Sequence, residues 1–302
     1  MVTRIYRPDR LAIRSKIVGV TVPSLTNGVF DEYLGGIEEV FCAAGIQVLV
    51  CNVRYSAAEE ERAISTLLGH HPKAMILAGI DQSDLSRAML ETSGVPIVQT
   101  MDVTDSPIDM NVGLSHMDAG YAATRYLQDL GFRRIGHLTA HGDPRSRRRY
   151  LGYQRAMEER QVGIDDLVAK SAEPSSAQLG SRLMVELMAK SPDVEAVFCC
   201  NDDLALGVLF ECQRRGMRVP HDLAIVGFND LKFAAMTFPS LTSVTTQRRQ
   251  IGERAAQLIM EIVRDSRTRS LSRVVDVGFH ISVRASTPLR PDPAHRRWYL
   301  PH

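Results

Sequence analysis

Short runs of apolar and β-branched residues alternate with amphipathic segments of helical length along most of this chain, and this alternation limits its possible folds more than any other feature. Within the amphipathic segments, apolar residues recur three and four positions apart, with glycine at or near the ends, as in helices that cover a sheet. In the first third of the chain, strands are predicted at 16–23, 46–53, 74–80 and 96–102, and helices at 29–45, 56–69 and 84–94. Strands separated by helices in this way favour a parallel sheet.

The same alternation resumes after a long helical segment at 116–130. It predicts strands at 133–140, 194–200 and 223–228, and helices at about 147–161 and at 203–215. A chain of 302 residues, 44% of them hydrophobic, is long enough to bury two cores of ordinary domain size. We therefore predict an α/β fold with two doubly wound parallel-sheet lobes.

Two late segments, "LTSVTT" and "RVVDVGFHISV", flank a predicted helix at about 248–264 and are too short to form a third domain. We expect them to complete the two sheets, so that crossover segments join the lobes. The predicted first lobe comprises residues 17–130 and about 249–276, the second comprises 131–248 and about 277–290, and residues 291–302 form a tail.

Composition and motifs argue against several classes of function. The 36 Lys and Arg nearly balance the 35 Asp and Glu, so the whole chain does not form a polyanion-binding body. The nucleophile elbow G-x-S-x-G and the phosphate-binding patterns G-x-G-x-x-G and G-x-x-x-x-G-K-[ST] are absent from the sequence, and its cysteines and histidines lack metal-ligand spacing. We predict that the chain is not an enzyme and binds no metal and no cofactor.

The N-terminus, "MVTRIYRPDRLAIRSKIVGV", is basic but lacks the apolar stretch and cleavage site of a secretory signal. Nowhere does the sequence contain an uninterrupted apolar run of membrane length. A cytoplasmic location without membrane contact is therefore expected.

Polar side chains follow the apolar run 194–200 directly, at Asn201, Asp202 and Asp203. In open parallel sheets, ligands bind at the carboxyl ends of strands, where loops lead into helix N-termini. The alternative is that Asp202 or Asp203 only caps the following helix, since aspartate is a favoured N-cap residue. Because one cap leaves a second polar group at the strand end, Asn201 and Asp202 are predicted to line a ligand cleft.

Five stretches occur in an order and at separations that resemble one protein family. They are "VGVTVPSLTNGVFDEYLGGIEE", "DAGYAATRYLQDLGFRRIGHL", "RRRYLGYQRAM", "FCCNDDLALGVLFECQRRGMRVPHDLAIVGFND" and "FPSLTSVTTQRRQIGERAAQLI". From about residue 5 to 290, the chain resembles the effector-binding core of LacI/GalR-type bacterial transcription regulators. The stretches "VPSLTNGVF" and "NDDLALGVLFECQRRGMRVP" are similar in particular to those of gluconate-operon repressors.

This resemblance implies a periplasmic-binding-protein-like core whose two lobes close on a small effector, a homodimer, and repression through operator DNA. Residues 1–16 resemble the hinge and the end of a DNA-binding headpiece, but most of a helix-turn-helix unit is missing from this sequence. Operator binding is therefore expected only in a full-length form with a headpiece. A solute-binding protein or a stand-alone sugar sensor is the alternative; the lack of a secretory signal argues against a transport protein.

The resemblance also implies effector-binding residues. In the second lobe it points to Arg149, whose guanidinium can hold two oxygens in one plane, and to Asn201, Asn229 and Gln247. The alternative for Arg149 is a solvated arginine on a helix face.

From the first lobe, the resemblance implies that Thr26, Asn27 and Phe30 line the cleft after the first strand. The alternative is that these three residues only form a loop and a helix start. Asp118, which opens the helix "DAGYAATRYL", matches an acid that accepts hydrogen bonds from effector hydroxyls, and helix capping is its alternative role.

Sugar-responsive members of the family commonly have aspartate where this chain has Asn229. An amide there removes the repulsion of a carboxylate while keeping a hydrogen-bond acceptor. Arg145, Arg147, Arg148 and Arg149 cluster nearby in sequence. We therefore expect an anionic effector, with an aldonate such as gluconate as first choice, unless the first three arginines all point to solvent.

Overall fold

The structure is a computed structural model that describes residues 16–140, 143–264 and 273–288. Apart from Lys16, the predicted hinge segment 1–16 lies outside the described residues, as does the predicted tail 291–302. The strands are β1 (Ile17–Val22), β2 (Gln47–Asn52), β3 (Ala74–Leu77), β4 (Ile97–Thr100), β5 (Met110–Gly113), β6 (Ile135–Ala140), β7 (Val168–Ser171), β8 (Ala196–Cys199), β9 (Ala224–Asn229), β10 (Thr242–Thr246), β11 (Arg273–Asp276) and β12 (Phe279–Ser282). The helices are α1 (Val29–Ala43), α2 (Ala57–Gly69), α3 (Asp84–Thr92), α4 (His116–Asp129), α5 (Pro144–Glu159), α6 (Ala177–Lys190), α7 (Asp202–Arg215) and α8 (Arg248–Arg264), with a short 3-10 helix at Lys232–Ala235.

The strands form two six-stranded sheets, one in each lobe. The first has the order β11-β5-β4-β3-β1-β2, and the second has the order β12-β10-β9-β8-β6-β7. All described strand pairs are parallel except β10 and β12, which are antiparallel. The predicted α/β fold of two doubly wound lobes is therefore confirmed.

The reversed direction of β12 follows from the path of the chain. Strand β11 runs parallel to β5 in the first sheet, and only Val277 and Gly278 separate it from β12 in the second. A parallel connection within a sheet needs a crossover of a dozen or more residues. The chain therefore enters the second sheet from the side at which the other strands end, and β12 runs against β10.

Helix α4 packs with the second lobe, whereas the boundary predicted at residue 130 places it with the first. It lies along α5 and also contacts β6 and β8. The two helices approach closely at Gly120, where a Cβ would lie 2.3 Å from the carbonyl oxygen of Arg149. Helix α8, by contrast, follows β10 of the second lobe but packs on α1 of the first lobe.

The central strands of each sheet lie in the buried core of their lobe. Strands β3, β4, β6, β8 and β9 are buried along their whole length, as expected for parallel strands covered by helices on both faces. Full burial of one large aliphatic side chain stabilises a fold by about 1.5–3 kcal/mol, so each of these strands contributes substantially to the stability. None of the helices within the described ranges is long and apolar enough to cross a membrane.

Candidate functional site

Arg149 lies near the N-terminal end of α5, between the two lobes. Its side chain is only 4% exposed, so the alternative of a solvated arginine does not describe it. The Nε atom donates a hydrogen bond to Nδ1 of His116 at 3.1 Å, and a terminal nitrogen donates to the carbonyl oxygen of Cys200. The guanidinium carbon lies 4.0 Å from the centre of the Phe228 ring, within the range of a cation–π contact.

The other arginines around this cleft are already paired with acids. Arg145 donates to Asp143 at 2.8 Å, Arg148 contacts Asp81 and Asp102, and Arg248 lies 2.8 Å from Glu32. Arg147 is exposed, as the solvated-face interpretation expects. Among the described residues, Arg149 is the cleft arginine without an ion pair to a carboxylate. Burial lowers the pKa of Arg149, and the charge of Arg145 lowers it further, whereas the charge of Asp143 raises it.

His116 orients Arg149 and was not foreseen from the sequence. Its Nε2 atom lies 2.9 Å from the carbonyl oxygen of Met101, to which it donates, while Nδ1 accepts from Arg149. These partners place the imidazole proton on Nε2. Burial lowers the pKa of His116 well below its usual value, and the charges of Arg149 and Arg145 lower it further, so the ring is neutral near pH 7. Met101 belongs to the first lobe and adopts a φ of 76°, a conformation that is rare outside glycine.

Asp143 caps α5 and holds Arg145 in place. Its carboxylate accepts from the backbone N–H of Arg145 at 3.0 Å and from Nε at 2.8 Å. Burial would raise the pKa of the Asp143 carboxyl, but the charge and hydrogen bonds of Arg145 lower it to about 2. The guanidinium carbon of Arg145 lies 5.5 Å from the Phe30 ring centre, which brings the predicted apolar platform of the first lobe against the second lobe.

The other predicted residues of the first lobe lie in the loop before α1. Thr26 is exposed and its hydroxyl contacts Ser24 at 3.2 Å within the loop, in keeping with the plain loop alternative. Asn27 is half-buried, and its Oδ1 accepts from the backbone N–H of Val29 at 3.0 Å, so part of this side chain supports the start of α1.

Asp118 is half-buried in the first turn of α4 and does not cap the helix. Ser115 is the N-cap residue, since its hydroxyl accepts from the backbone N–H of Asp118 at 3.1 Å. The helix begins at His116, as the predicted helical segment 116–130 does, so Asp118 lies within its first turn and does not open it. The carboxylate of Asp118 remains available at the helix N-terminus, beside the crossover between the lobes.

Tyr55 is a further cleft residue that the sequence pattern did not reveal. It follows β2, and it and Arg54 both have positive φ, 56° and 51°. The side chain is 42% exposed and lies beside Asn27. Burial raises the pKa of Tyr55, the charge of Asp143 raises it further, and the charge of Arg145 lowers it. An aromatic residue three positions after the end of β2 was the available signal.

The polar residues that follow β8, Asn201 and Asp202, have different roles. Asn201 is the N-cap of α7: Oδ1 accepts from the backbone N–H of Leu204 at 3.0 Å, and Nδ2 donates to Ser175 at 2.6 Å. Asp202 is fully buried and ties together distant segments, since it accepts from the Ser243 hydroxyl at 2.6 Å and from the backbone N–H of Leu231 at 2.7 Å. Both oxygens of Asp202 are thus engaged within the protein. Asn201, rather than Asp202 or Asp203, fills the capping role that the sequence left open.

Asn229 and Gln247 lie at the crossover to α8. Asn229 ends β9 with a φ of 103°, and the Arg248 guanidinium donates to its carbonyl oxygen. Within the described parts of the chain, the side-chain amide of Asn229 has no hydrogen bond. Such strained backbone is commonest at functional sites. Gln247 is half-buried, and its carbonyl oxygen accepts from Ile251 at 2.9 Å, which starts α8.

Except for Asp202 and the exposed Thr26, the predicted residues lie partly or wholly buried at the carboxyl ends of strands, on the facing sides of two lobes. The site offers one unpaired guanidinium, amides at Asn27 and Asn229, and a carboxylate at Asp118. This donor and acceptor set suits a small polyhydroxylated anion. The described residues contain no group of histidine, cysteine and acidic side chains arranged to hold a metal ion.

Comparison with known proteins matches a periplasmic binding protein-like domain to residues 124–287. The HTH-type transcriptional regulator GntR of Pseudomonas aeruginosa is 40% identical over 275 residues, which cover 91% of this chain and 79% of that protein. Among solved structures, the transcription regulator GntR from Chromobacterium violaceum has a TM-score of 0.84 and 38% identity, with 90% of this chain and 99% of that chain covered. A LacI family transcriptional regulator from Silicibacter pomeroyi has a TM-score of 0.84 and 27% identity, covering 90% of this chain and 98% of that chain.

These relatives are transcription regulators and not enzymes, which confirms the prediction that the chain has a regulatory rather than a catalytic function. The two-lobed architecture, the cleft between the lobes and the family-wide similarity lead to the same assignment: the chain belongs to the LacI family of bacterial transcription regulators.

Proposed function

We propose that this chain is the effector-sensing part of a transcriptional repressor that responds to a sugar acid, with gluconate as the first candidate. The unpaired charge of Arg149 carries the proposal. Arg149 donates to His116 and to the Cys200 carbonyl oxygen but pairs with no carboxylate among the described residues, so an anion in the cleft would supply the missing counter-charge to this buried cation. The neighbouring arginines do not compete for this anion, because acids of the protein already pair with Arg145, Arg148 and Arg248.

The remaining polar groups suit the hydroxyl chain of an aldonate. Asn229 has an unengaged amide at the strand end. The Asp118 carboxylate can accept hydrogen bonds from hydroxyls, and the Gln247 amide can both accept and donate them. We retain Thr26, Asn27, Phe30 and Asn201 as neighbouring members of the proposed site. We leave Asp202 out because both its oxygens accept hydrogen bonds from Ser243 and Leu231.

An effector that touches both lobes favours their closed arrangement, because only that arrangement makes all the contacts. In the proposed mechanism, closure changes the spacing of DNA-binding headpieces carried by a longer form of this chain. The match covers 79% of the HTH-type regulator of Pseudomonas aeruginosa, and we propose operator binding for a form that carries such a DNA-binding unit. Because its target is DNA, we place the protein in the cytoplasm.

We further propose that the chain forms a homodimer, since recognition of a palindromic operator requires twofold symmetry. Analytical ultracentrifugation would report this directly. A monomer at protein concentrations on the order of tens of micromolar would contradict the dimer.

Isothermal titration calorimetry tests the effector. Gluconate, galactonate, 2-keto-gluconate and neutral glucose are titrated into the wild-type chain at one salt concentration. We expect at least one acid to bind more tightly than glucose, because only an acid pairs with Arg149. Tighter binding of glucose than of every acid would refute the anionic effector and leave the family assignment intact.

A further inference from the structure

Arg148, next to Arg149 on α5, joins the second lobe to the first. Its two terminal nitrogens donate to the two carboxylate oxygens of Asp81, at 2.9 and 2.5 Å. One of them also lies 3.2 Å from Oδ2 of Asp102. Asp81 follows β3 and Asp102 follows β4, so both acids belong to the first lobe. A single guanidinium from the second lobe therefore pairs with two acids of the first across the cleft.

The first-lobe end of this contact is rigid at Asp102. Its side chain is almost fully buried, and Oδ1 accepts from the backbone N–H of Val103 at 2.9 Å. The backbone of Asp102 also packs tightly on Gly113, where a Cβ would lie 2.4 Å from the Asp102 carbonyl oxygen. Oδ2 has no hydrogen bond of good geometry, so its contact with Arg148 is mainly charge attraction at close range.

The other half of the contact is accessible to solvent. The side chains of Arg148 and Asp81 are 28% and 38% exposed, so water can replace their hydrogen bonds when the lobes separate. A fork-to-carboxylate pair is geometrically selective, because both hydrogen bonds form only at one orientation of the two groups. The pair therefore forms in the closed arrangement and is lost as the lobes move apart.

Other contacts among the described residues also join the lobes, and they differ from this pair. His116 donates a hydrogen bond to the Met101 carbonyl oxygen, and Arg145 faces the Phe30 ring, but neither is an ion pair between the lobes. Lys232 lies 3.5 Å from Asp31, but these side chains are 78% and 75% exposed, and such pairs contribute little. Arg248 donates to the backbone oxygens of Asn229 and Asp230 at the crossover, where the chain itself already joins the lobes. Among the ion pairs of the described residues, the Arg148 pair combines a bidentate contact between the lobes with a position away from the covalent crossovers.

We infer that the Arg148–Asp81–Asp102 contact is a latch that sets the balance between open and closed lobes before any effector is bound. Charge attraction across the cleft stabilises the closed state only, and so it raises the fraction of molecules ready to hold an effector. Its consequence for effector affinity rests on the proposed function; its consequence for lobe closure does not.

Small-angle X-ray scattering of the effector-free chain tests the latch. The variants are Arg148→Gln, Asp81→Asn and the two combined, each compared with Arg147→Gln, a matched change at the exposed neighbouring arginine. We expect a larger radius of gyration in both single variants, little further increase in the double variant, and no change for Arg147→Gln. High salt should open the wild-type chain in the same direction, because it screens the pair.

Titration of gluconate then links the latch to sensing. Arg148→Gln should weaken binding about two- to fivefold, the range for a partly exposed ion pair. An unchanged radius of gyration in both Arg148→Gln and Asp81→Asn would overturn the latch, whatever gluconate does. If the wild-type chain binds no gluconate while both variants open, the latch stands and only the proposed effector fails.

Discussion

The guanidinium of Arg149 lies over the Phe228 ring, with 4.0 Å between its central carbon and the ring centre. The ring supports one face of the cation, while His116 and the carbonyl oxygen of Cys200 accept hydrogen bonds at its edge. The guanidinium is therefore oriented before any ligand arrives. Pre-orientation lowers the entropy lost on binding, which makes the geometry of this side chain as important as its charge.

Replacing Arg149 with Lys separates charge from geometry. Lysine keeps the positive charge but loses the planar fork and the stacking on Phe228. We expect affinity for the preferred sugar acid to fall by about 1–3 kcal/mol, the range for charge-assisted hydrogen bonds. Calorimetry measures the loss, with Arg147→Lys as the control on the exposed side of the same helix. Equal acid affinities in Arg149→Lys and the wild type would show that the guanidinium is not the anchor.

Tyr55 is expected to contact the effector through its hydroxyl. The change Tyr55→Phe keeps the ring and removes only the hydrogen-bonding group, so affinity should fall by about 0.5–1.5 kcal/mol with little effect on stability. Tyr121→Phe is the control, because that hydroxyl donates to Glu159 on the outer surface. Calorimetry measures the effector affinity of the wild type, Tyr55→Phe and Tyr121→Phe. Identical affinities for Tyr55→Phe and Tyr121→Phe would remove Tyr55 from the site.

Gly120 controls the position of Arg149 through the backbone. A Cβ at Gly120 would lie 2.3 Å from the carbonyl oxygen of Arg149, so Gly120→Ala must push α5 away from α4. We expect a loss of about 1–3 kcal/mol in the free energy of unfolding, as for other overpacked sites, together with weaker effector binding. Urea denaturation provides the measurement. Gly163→Ala is the control, since no heavy atom lies within 4 Å of its added Cβ. Equal stabilities of these two variants would contradict the prediction.

The sequence predicted the central strands well because they are buried on both faces and read as continuous apolar runs. It missed β5 and β7. Neither is a continuous apolar run: β5 contains Asn111 and ends at Gly113, and β7 is a half-exposed edge strand that contains Lys170. Helix α6 was also missed, although Leu179, Leu183 and Leu187 recur every four positions after the Ser176 cap. The helical spacing of apolar residues in α6 was therefore present in the sequence.

A site residue could be predicted when its place in the sequence pattern was sufficient. It could not be predicted when its role depends on residues far away along the chain. The end of a predicted strand pointed to Asn201, whereas Arg149, Asn229 and Gln247 were predicted from the family resemblance. The burial of Asp202 depends on Ser243, which is 41 residues away along the chain, and on room left by Gly227, where a Cβ would lie 2.2 Å from the Asp202 carboxylate. Neither condition leaves a local trace in the sequence around Asp202.

Asp202 should make the stability of the chain depend on pH. Burial raises the pKa of its carboxyl from 3.8 to about 7, against the hydrogen bonds from Ser243 and Leu231, which lower it. The folded state therefore keeps a proton that the unfolded chain releases above about pH 4. Its stabilising effect is fully present below the unfolded pKa and is lost as the pH rises towards 7, by about 4 kcal/mol in total.

The change Asp202→Asn removes this titration while keeping the shape of the side chain. Its oxygen can accept from the Leu231 N–H and its amide can donate to the Ser243 hydroxyl. Between pH 5 and pH 8, the wild type should lose about 2–3 kcal/mol more unfolding free energy than the variant, as measured by urea denaturation at both values. Asp84→Asn, at the exposed first position of α3, is the control and should follow the wild type. Parallel losses in the wild type and Asp202→Asn would mean that Asp202 is ionised in the folded protein at both pH values.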